Sequence, residues 1–265
     1  MSRFTEGVVS EIKKSYIQKL AAGGLRIDNR GLEEYRNIEV IRNFVTRANG
    51  SALVKIGNTQ VLAGIKIEPG EPFPDTPNVG VITTNAELVP LASPTFESGP
   101  PGEDAIELAR VVDRGLRESK TIDLEKLVIK ENELVWIIFI DLHVLDYDGN
   151  LFDASSLASM IALTEAVVPA SKYGYGEDFK LPVNHYPVEI TAVKIDNSIL
   201  IDPNLDEENI SSARLTVAAN ELGNVNAMQK GSTGSFSIEE IKKIINTTIK
   251  IGNEIREKYI IKKGE

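Results

Sequence analysis

The chain has 265 residues, 42% of them hydrophobic, and a formal charge of -10 at neutral pH, which suits one large domain or two modest ones and argues against a protein that coats nucleic acid with its whole surface. It contains no cysteine and only two histidines, His143 and His185; this excludes disulfides, thiolate zinc sites and cysteine nucleophiles and leaves little for imidazole-based metal sites or triads. No apolar run of roughly eighteen residues occurs and the first residues mix charge with apolar positions, so the expectation is a soluble cytoplasmic protein whose chemistry rests on carboxylates, hydroxyls, lysine and arginine.

In chain order, residues 8–21 place Val9, Ile12, Tyr16, Ile17 and Leu20 at helical spacing and stop at Gly23-Gly24, which predicts an N-terminal helix. Residues 51–68 alternate Ala52, Val54 and Ile56, then Val61, Ala63, Ile65 and Ile67, about Gly57-Asn58. That pattern is a β-hairpin. Proline-rich turns follow at 69–78, then an extended segment over 79–91, and the loop SGPPGED (98–104) leads into a helix, ELARVVDRGLRESK (107–120). The run LVWIIFIDLHVL (134–145) is nearly continuous apolar and reads as a strand buried on both faces. A turn at 146–150 ends it, and a helix of small residues is predicted over 153–168.

Between 169 and 186 the composition shifts to Gly, Pro, Tyr and charge, as in a linker. Beyond it, Val193-Lys194-Ile195-Asp196-Asn197-Ser198 echoes Val54-Lys55-Ile56-Gly57-Asn58-Thr59, and Ser237 with Glu240 forms a capping box before a last helix, 238–259. Strands then helix, twice, predict a duplicated α+β unit. The expected organisation is an N-terminal helix and lead-in (1–30), a first half (31–168), the linker (169–186) and a second half (187–265).

The helix at 107–120 carries the clearest functional signal. At about 100° per residue, Arg110, Arg114 and Arg117 fall within roughly 60° of one another, opposite Ala105, Leu108, Ala109, Val112 and Leu116. One reading is a solvated face laced by the pairs Glu107–Arg110, Asp113–Arg117 and Arg114–Glu118. The other is a phosphate track, because the guanidinium fork matches phosphate oxygens and stays charged when desolvated.

The runs 97–129, 25–36 (LRIDNRGLEEYR), 50–64 (GSALVKIGNTQVLAG) and 201–208 (IDPNLDEE) resemble the RNase PH superfamily over roughly residues 10–260, most closely the non-catalytic subunit of the archaeal exosome ring. The resemblance implies the RNase PH fold, α+β, with duplicated βαβα-type halves (ribosomal protein S5 domain 2-like) and an N-terminal helix. It also implies phosphorolysis, in which inorganic phosphate attacks the 3′-terminal phosphodiester of RNA. The expected partners are a catalytic RNase PH-like exosome subunit, three of each in a hexameric ring, RNA-binding cap subunits and a single-stranded RNA 3′ end, with Arg110, Arg114 and, less directly, Arg117 on the RNA.

Two departures from active members imply that this subunit carries no chemistry and no cofactor, leaving inorganic phosphate and Mg²⁺ to the partner's site. In active members the phosphate cradle follows the long strand; here the turn reads Gly149-Asn150-Leu151-Phe152, and apolar bulk stands where a hydroxyl and an arginine belong. The acidic pair of active members falls on Glu208 and Arg214, so a carboxylate has become a cation. Two alternatives stay open: a self-sufficient phosphorolytic exoribonuclease using Glu208, and a purely architectural ring subunit. Asp202, Asp206, Glu207 and Glu208 read as an acidic turn or a carboxylate metal site. His143 and Asp141 read as core residues, with Asp141 accepting backbone bonds at a bulge. Gly231–Ser235 reads as a turn or phosphate cradle, and Arg26 and Arg30 as structural ion pairs.

Overall fold

The N-terminal helix runs over Glu11–Ala22 (α1) in a computed structural model that describes residues 11–261; residues 8–10 of the predicted span lie outside the described residues. It buries Ile17 and Ala21 against Val193, Ile195 and Leu200, and ends where Gly24 takes φ +79°, a conformation that glycine reaches without steric cost.

The alternating segments then build a first sheet. Its strands are β1 (Ile38–Arg42), β2 (Gly50–Ile56), β3 (Thr59–Gly70) and β4 (Val81–Leu88), followed by helix α2 (Glu103–Glu118), β5 (Val128–Lys130) and β6 (Leu134–Asp146). The spatial order is β1-β2-β3-β6-β4, with β5 also on β6. The predicted hairpin is β2–β3, closed at Ile56↔Thr59 with Gly57 at φ +58°. The connection through α2 makes β4 parallel to β6.

Strand β6 differs from its reading. Val135, Trp136, Ile138, Ile140, Leu142 and Val144 are buried, but Ile137, Phe139, Asp141, His143 and Leu145 are half-exposed. The reason is that α2 and the next helix both pack against this sheet's inner face, so apolar residues on the other face do not make it a core. His143 is on that open face, its side chain 41% exposed and 3.3 Å from Glu87. Asp141 pairs regularly with Gly64, and the bulge lies elsewhere, between Gln60 and Val61.

Helix α3 (Leu151–Glu165) starts and ends earlier than predicted, because Asn150 adopts a left-handed conformation as its N-cap and Ala166 is already extended. Every residue from Leu151 to Leu163 is buried. The small residues Ala154, Ser155, Ala158, Ser159 and Ala162 explain how: α3 is sandwiched between β2 and β3 on one side and the second sheet on the other. The stretch 169–186 is not bare linker. It holds the short helix α4 (Ala170–Tyr173) and β8 (Phe179–Lys180), which pairs with β7 (Val167–Val168).

The second sheet comprises β9 (Val188–Ile195), β10 (Ser198–Ile201), β11 (Ala213–Ala219) and β12 (Val225–Gly231) in the order β10-β9-β11-β12, all antiparallel, with helix α5 (Leu205–Ile210) before β11. Its hairpin closes at Ile195↔Ser198 with Asp196 at φ +51°, the position Gly57 holds in the first half. Helix α6 (Ile238–Ile255) covers this sheet and opens on the predicted capping box, Ser237 accepting from Glu240 N and Glu240 from Ser237 N. Replacing Ser237 by alanine is expected to cost about 1 kcal/mol of stability, read by urea denaturation.

Candidate nucleic-acid interface

The arginine helix buries Ala105, Leu108, Ala109, Val111, Val112, Gly115 and Leu116 and turns all three arginines to solvent. Their environments differ. Arg117 is tied down: it donates twice to Asp113 and once to the carbonyl of Ile82. Arg114 donates to Gln229 of β12 at 2.7 Å, and Arg110 has no hydrogen bond or ion pair among the described residues.

Only one of the three expected helix pairs forms. Asp113 holds Arg117, but Glu107 turns away from Arg110 to Arg214 at 2.7 Å, with Gln229 donating to the same oxygen. A tertiary partner that is largely desolvated outcompetes an exposed neighbour on the helix, since an exposed i,i+3 pair is worth a few tenths of a kcal/mol. Arg114 likewise takes Gln229 rather than Glu118.

The turn before α3 begins with Gly149 at φ +83°, where a Cβ would fall 2.5 Å from the backbone of Asn204. Glycine is required there by conformation and by the close approach of the neighbouring chain. The N-terminus of a helix attracts anions, but this one is already occupied from within. Leu151 and Phe152 are buried, and the Glu208 carboxylate accepts from Asn150 N at 2.8 Å and from Tyr147 Oη at 2.9 Å. Arg214 lies over the Phe152 ring, 4.3 Å from its centroid. Burial pushes the Glu208 carboxyl up from its ordinary value, against the opposing pull of the Asn150 amide and Arg214.

The acidic run around α5 disperses to separate partners. Asp202 takes Arg30 and Arg36, Glu207 takes Arg26, Asp206 takes Lys13, and Glu208 takes the turn. Among the described residues no three His, Asp or Glu side chains gather where a metal ion could be held. Arg26 is buried and forks onto Glu207 while donating to the carbonyls of Ile201 and Asp202. Gly231 and Gly234 serve packing: a Cβ on the first would meet the Arg214 guanidinium at 2.7 Å, and on the second the Ser212 carbonyl at 2.5 Å.

Three side chains of this region, Gln229, Arg36 and Glu189, escaped the sequence reading, and a fourth, Glu107, was read with the wrong partner. Gln229 and Glu107 are ordinary polar residues whose importance comes from the approach of β12 to α2, which no local pattern records. Arg36 is the last residue of the family-like run 25–36, and its role is visible only once Asp202 is folded against it. Glu189 looks like the polar position of an alternating strand yet is buried.

Residues 34–169 match the model of the 3′ exoribonuclease family, domain 1, and residues 185–251 match domain 2 of the same family. The chain belongs to the 3′ exoribonuclease (RNase PH) family. Within that family it falls with the archaeal exosome subunits. It is 55% identical over 252 residues to the exosome complex component Rrp42 of Thermoplasma acidophilum, a match covering 95% of this chain and 96% of that protein. Among solved structures, an Archaeoglobus fulgidus exosome with RNA bound to the active site contains a chain with TM-score 0.91 and 49% identity, covering 94% of this chain and 98% of that one. An archaeal exosome core contains another, with TM-score 0.87 and 45% identity, over 94% and 96% of the two chains. The RNase PH fold expected from the sequence is the fold observed.

Proposed function

We propose that this chain is the non-catalytic RNase PH-like subunit of an exosome, a phosphate-dependent 3′-to-5′ exoribonuclease. It works in the cytoplasm, alternates with a catalytic RNase PH-like subunit in a hexameric ring that carries RNA-binding cap subunits, and presents Arg110 and Arg114 to the RNA 3′ end. Inorganic phosphate and Mg²⁺ belong to the partner's active site. The observation that carries this reading is the contrast between two places in one chain. The positions where active relatives would bind phosphate and place carboxylates are filled by Leu151, Phe152, Glu208 and Arg214, which are buried and bonded to one another's surroundings. The outward face of α2, by contrast, leaves Arg110 unengaged among the described residues and Arg114 on a single neutral acceptor. Arg117, committed to Asp113 and Ile82, supports the helix and contributes to the field. Contacts of this kind hold a phosphate backbone without reading its sequence. Concentrating them on one helix reconciles RNA binding with a formal charge of -10.

The test is phosphate-dependent decay of a labelled single-stranded RNA by this chain alone, by the catalytic subunit alone and by both together, with and without Arg110→Ala/Arg114→Ala. The chain alone is expected to release no nucleoside diphosphate, and the double substitution to weaken RNA binding by the assembled pair at least about tenfold. The slope of log K against log salt should fall by about 1.4, the counterion release of two phosphate contacts on a single strand. Release of nucleoside diphosphates by this chain alone would overturn the non-catalytic reading. Unchanged affinity in the double variant would reduce the arginines to a solvated face of an architectural subunit.

A further inference from the structure

Beneath the arginine stripe lies a carboxyl group that the fold does not account for. Glu189, in β9, is 2% exposed, and neither of its carboxyl oxygens has a hydrogen-bond partner among the described residues. It rests on Gly115 in the middle of α2, where a Cβ would fall 2.1 Å from Glu189 Oε1. A glycine inside a helix and a buried acid without a partner each destabilise the fold, and here each requires the other. An unpaired group of this kind points to a use.

The cleft that Glu189 shares is lined by Val111 and Arg114 of α2, Thr216 of β11, and Met228 and Gln229 of β12, and it has no room for a water molecule. Solvent therefore cannot stabilise a charge there. From α2 the carboxyl faces Gly115 and Arg114, from α3 Asp153, from β11 Thr216 and Ala218, and from β12 the neutral Gln229. Arg114 is the one cation among them, held at the mouth of the cleft by its bond to Gln229.

We propose that Glu189 is the positioning residue of Arg114. While the carboxyl is neutral, Arg114 remains on Gln229 at the surface, where a phosphate oxygen can capture it. When the carboxyl ionises, the two side chains close on each other across the cleft and the stripe loses its second phosphate ligand. Burial first, then the nearby Asp153, push the Glu189 carboxyl well above the ordinary carboxylate range, and Arg114 pulls it back. The neutral state is thus the resting one, and the withdrawal sets in as pH rises. The inference rests on the reading that Arg110 and Arg114 hold RNA phosphates.

The experiment has two arms on the full chain. The first measures affinity for a labelled single-stranded RNA from about pH 6 to about pH 9 in the wild type and in Glu189→Gln, which keeps the shape of the neutral carboxyl and the contact with Gly115. Wild-type affinity is expected to fall about five- to tenfold across the Glu189 titration, the loss of one charge-assisted contact. Glu189→Gln should hold its affinity, and any slope left in it belongs to Asp153. The second arm needs no RNA: the Glu189 carboxyl is followed by carbon-13 NMR, assigned by its loss in Glu189→Gln, and its midpoint should rise in Arg114→Gln. Identical pH profiles in wild type and Glu189→Gln, or a midpoint that Arg114→Gln does not move, overturn the inference. If Arg114→Gln leaves RNA affinity unchanged while the midpoint moves, the phosphate-binding reading fails and the pairing of Glu189 with Arg114 stands.

Discussion

Replacing Asp202 by alanine is expected to destabilise the protein by about 3–5 kcal/mol, the loss typical of breaking a buried ion pair from one side. Asp202 is fully buried and accepts from Arg30 Nη1, from the backbone N, Nε and Nη2 of Arg36, and from Asn150 Nδ2, at 2.7–3.0 Å. Burial alone would raise its carboxyl; the hydrogen bonds and charge of Arg36 more than offset that and hold it below the ordinary carboxylate value. Without the carboxylate, two guanidinium groups with little access to water lose their buried anion, leaving Arg30 with the part-exposed Asp28 and Arg36 with Asp148 at 3.9 Å. The damage spreads to the turn before α3, because Arg36 also donates to the carbonyls of Asp148 and Gly149. Urea denaturation measures the loss. Asp202→Asn should lose nearly as much, since an amide group presents hydrogen-bond donors to a guanidinium that needs acceptors. A loss under about 1 kcal/mol in the asparagine variant would mean that charge is not what joins these segments. A carboxyl with a lowered folded value stabilises above its unfolded value. This contribution is therefore lost only as pH falls below about 4.

The sequence made the frame of the fold legible wherever local chemistry decides it. The β2–β3 hairpin, the arginine helix with its buried Leu108–Val112–Leu116 face and the Ser237–Glu240 box are set by alternation, by helical spacing and by one hydroxyl three residues from one carboxylate. What failed depends on which element covers which. An apolar strand such as β6 is consistent with burial on both faces or on one, and only the placement of α2 and α3 on the same side exposes Phe139 and His143. The pairs on α2 failed for a related reason: Glu107 had a candidate partner one turn away, but Arg214 and Gln229 arrive from strands about 110–120 residues further on. The positions expected to be disabled were identified by resemblance. The packing at those positions, with Glu208 seated on the Asn150 amide and Arg214 on the face of Phe152, required the packed structure.

The stability of the protein is expected to decline as pH rises from about 4 to about 7, and Asp153→Asn is expected to flatten that decline. Asp153 sits on α3 between the two sheets, 3% exposed, and one carboxyl oxygen accepts from Tyr35 Oη, Asn150 Nδ2 and Thr191 N while the other accepts from Thr191 Oγ1. These bonds favour the ionised form, but burial outweighs them and pushes the carboxyl from 3.8 to about 7. Between those values the folded chain holds a proton that the unfolded chain releases. Stability is therefore full below the unfolded value and is lost progressively as pH approaches the folded one. At about 1.4 kcal/mol per pH unit the span corresponds to about 4 kcal/mol. The asparagine variant suits the site because its oxygen can keep the three donors while its amide donates to Thr191 Oγ1, whose own proton can then turn to Thr216 Oγ1 at 2.9 Å. Unfolding free energies at several pH values settle the matter: wild type should fall over this range and Asp153→Asn should stay nearly level. Equal slopes in the two proteins, or a wild-type stability that rises over the same range, would show that the network around Thr191 outweighs burial and that Asp153 is ionised in the folded core. The same measurement bears on α3 as the joint of the molecule, because a charge at Asp153 would sit where the helix meets both sheets and next to Glu189, raising the cost of ionising either one.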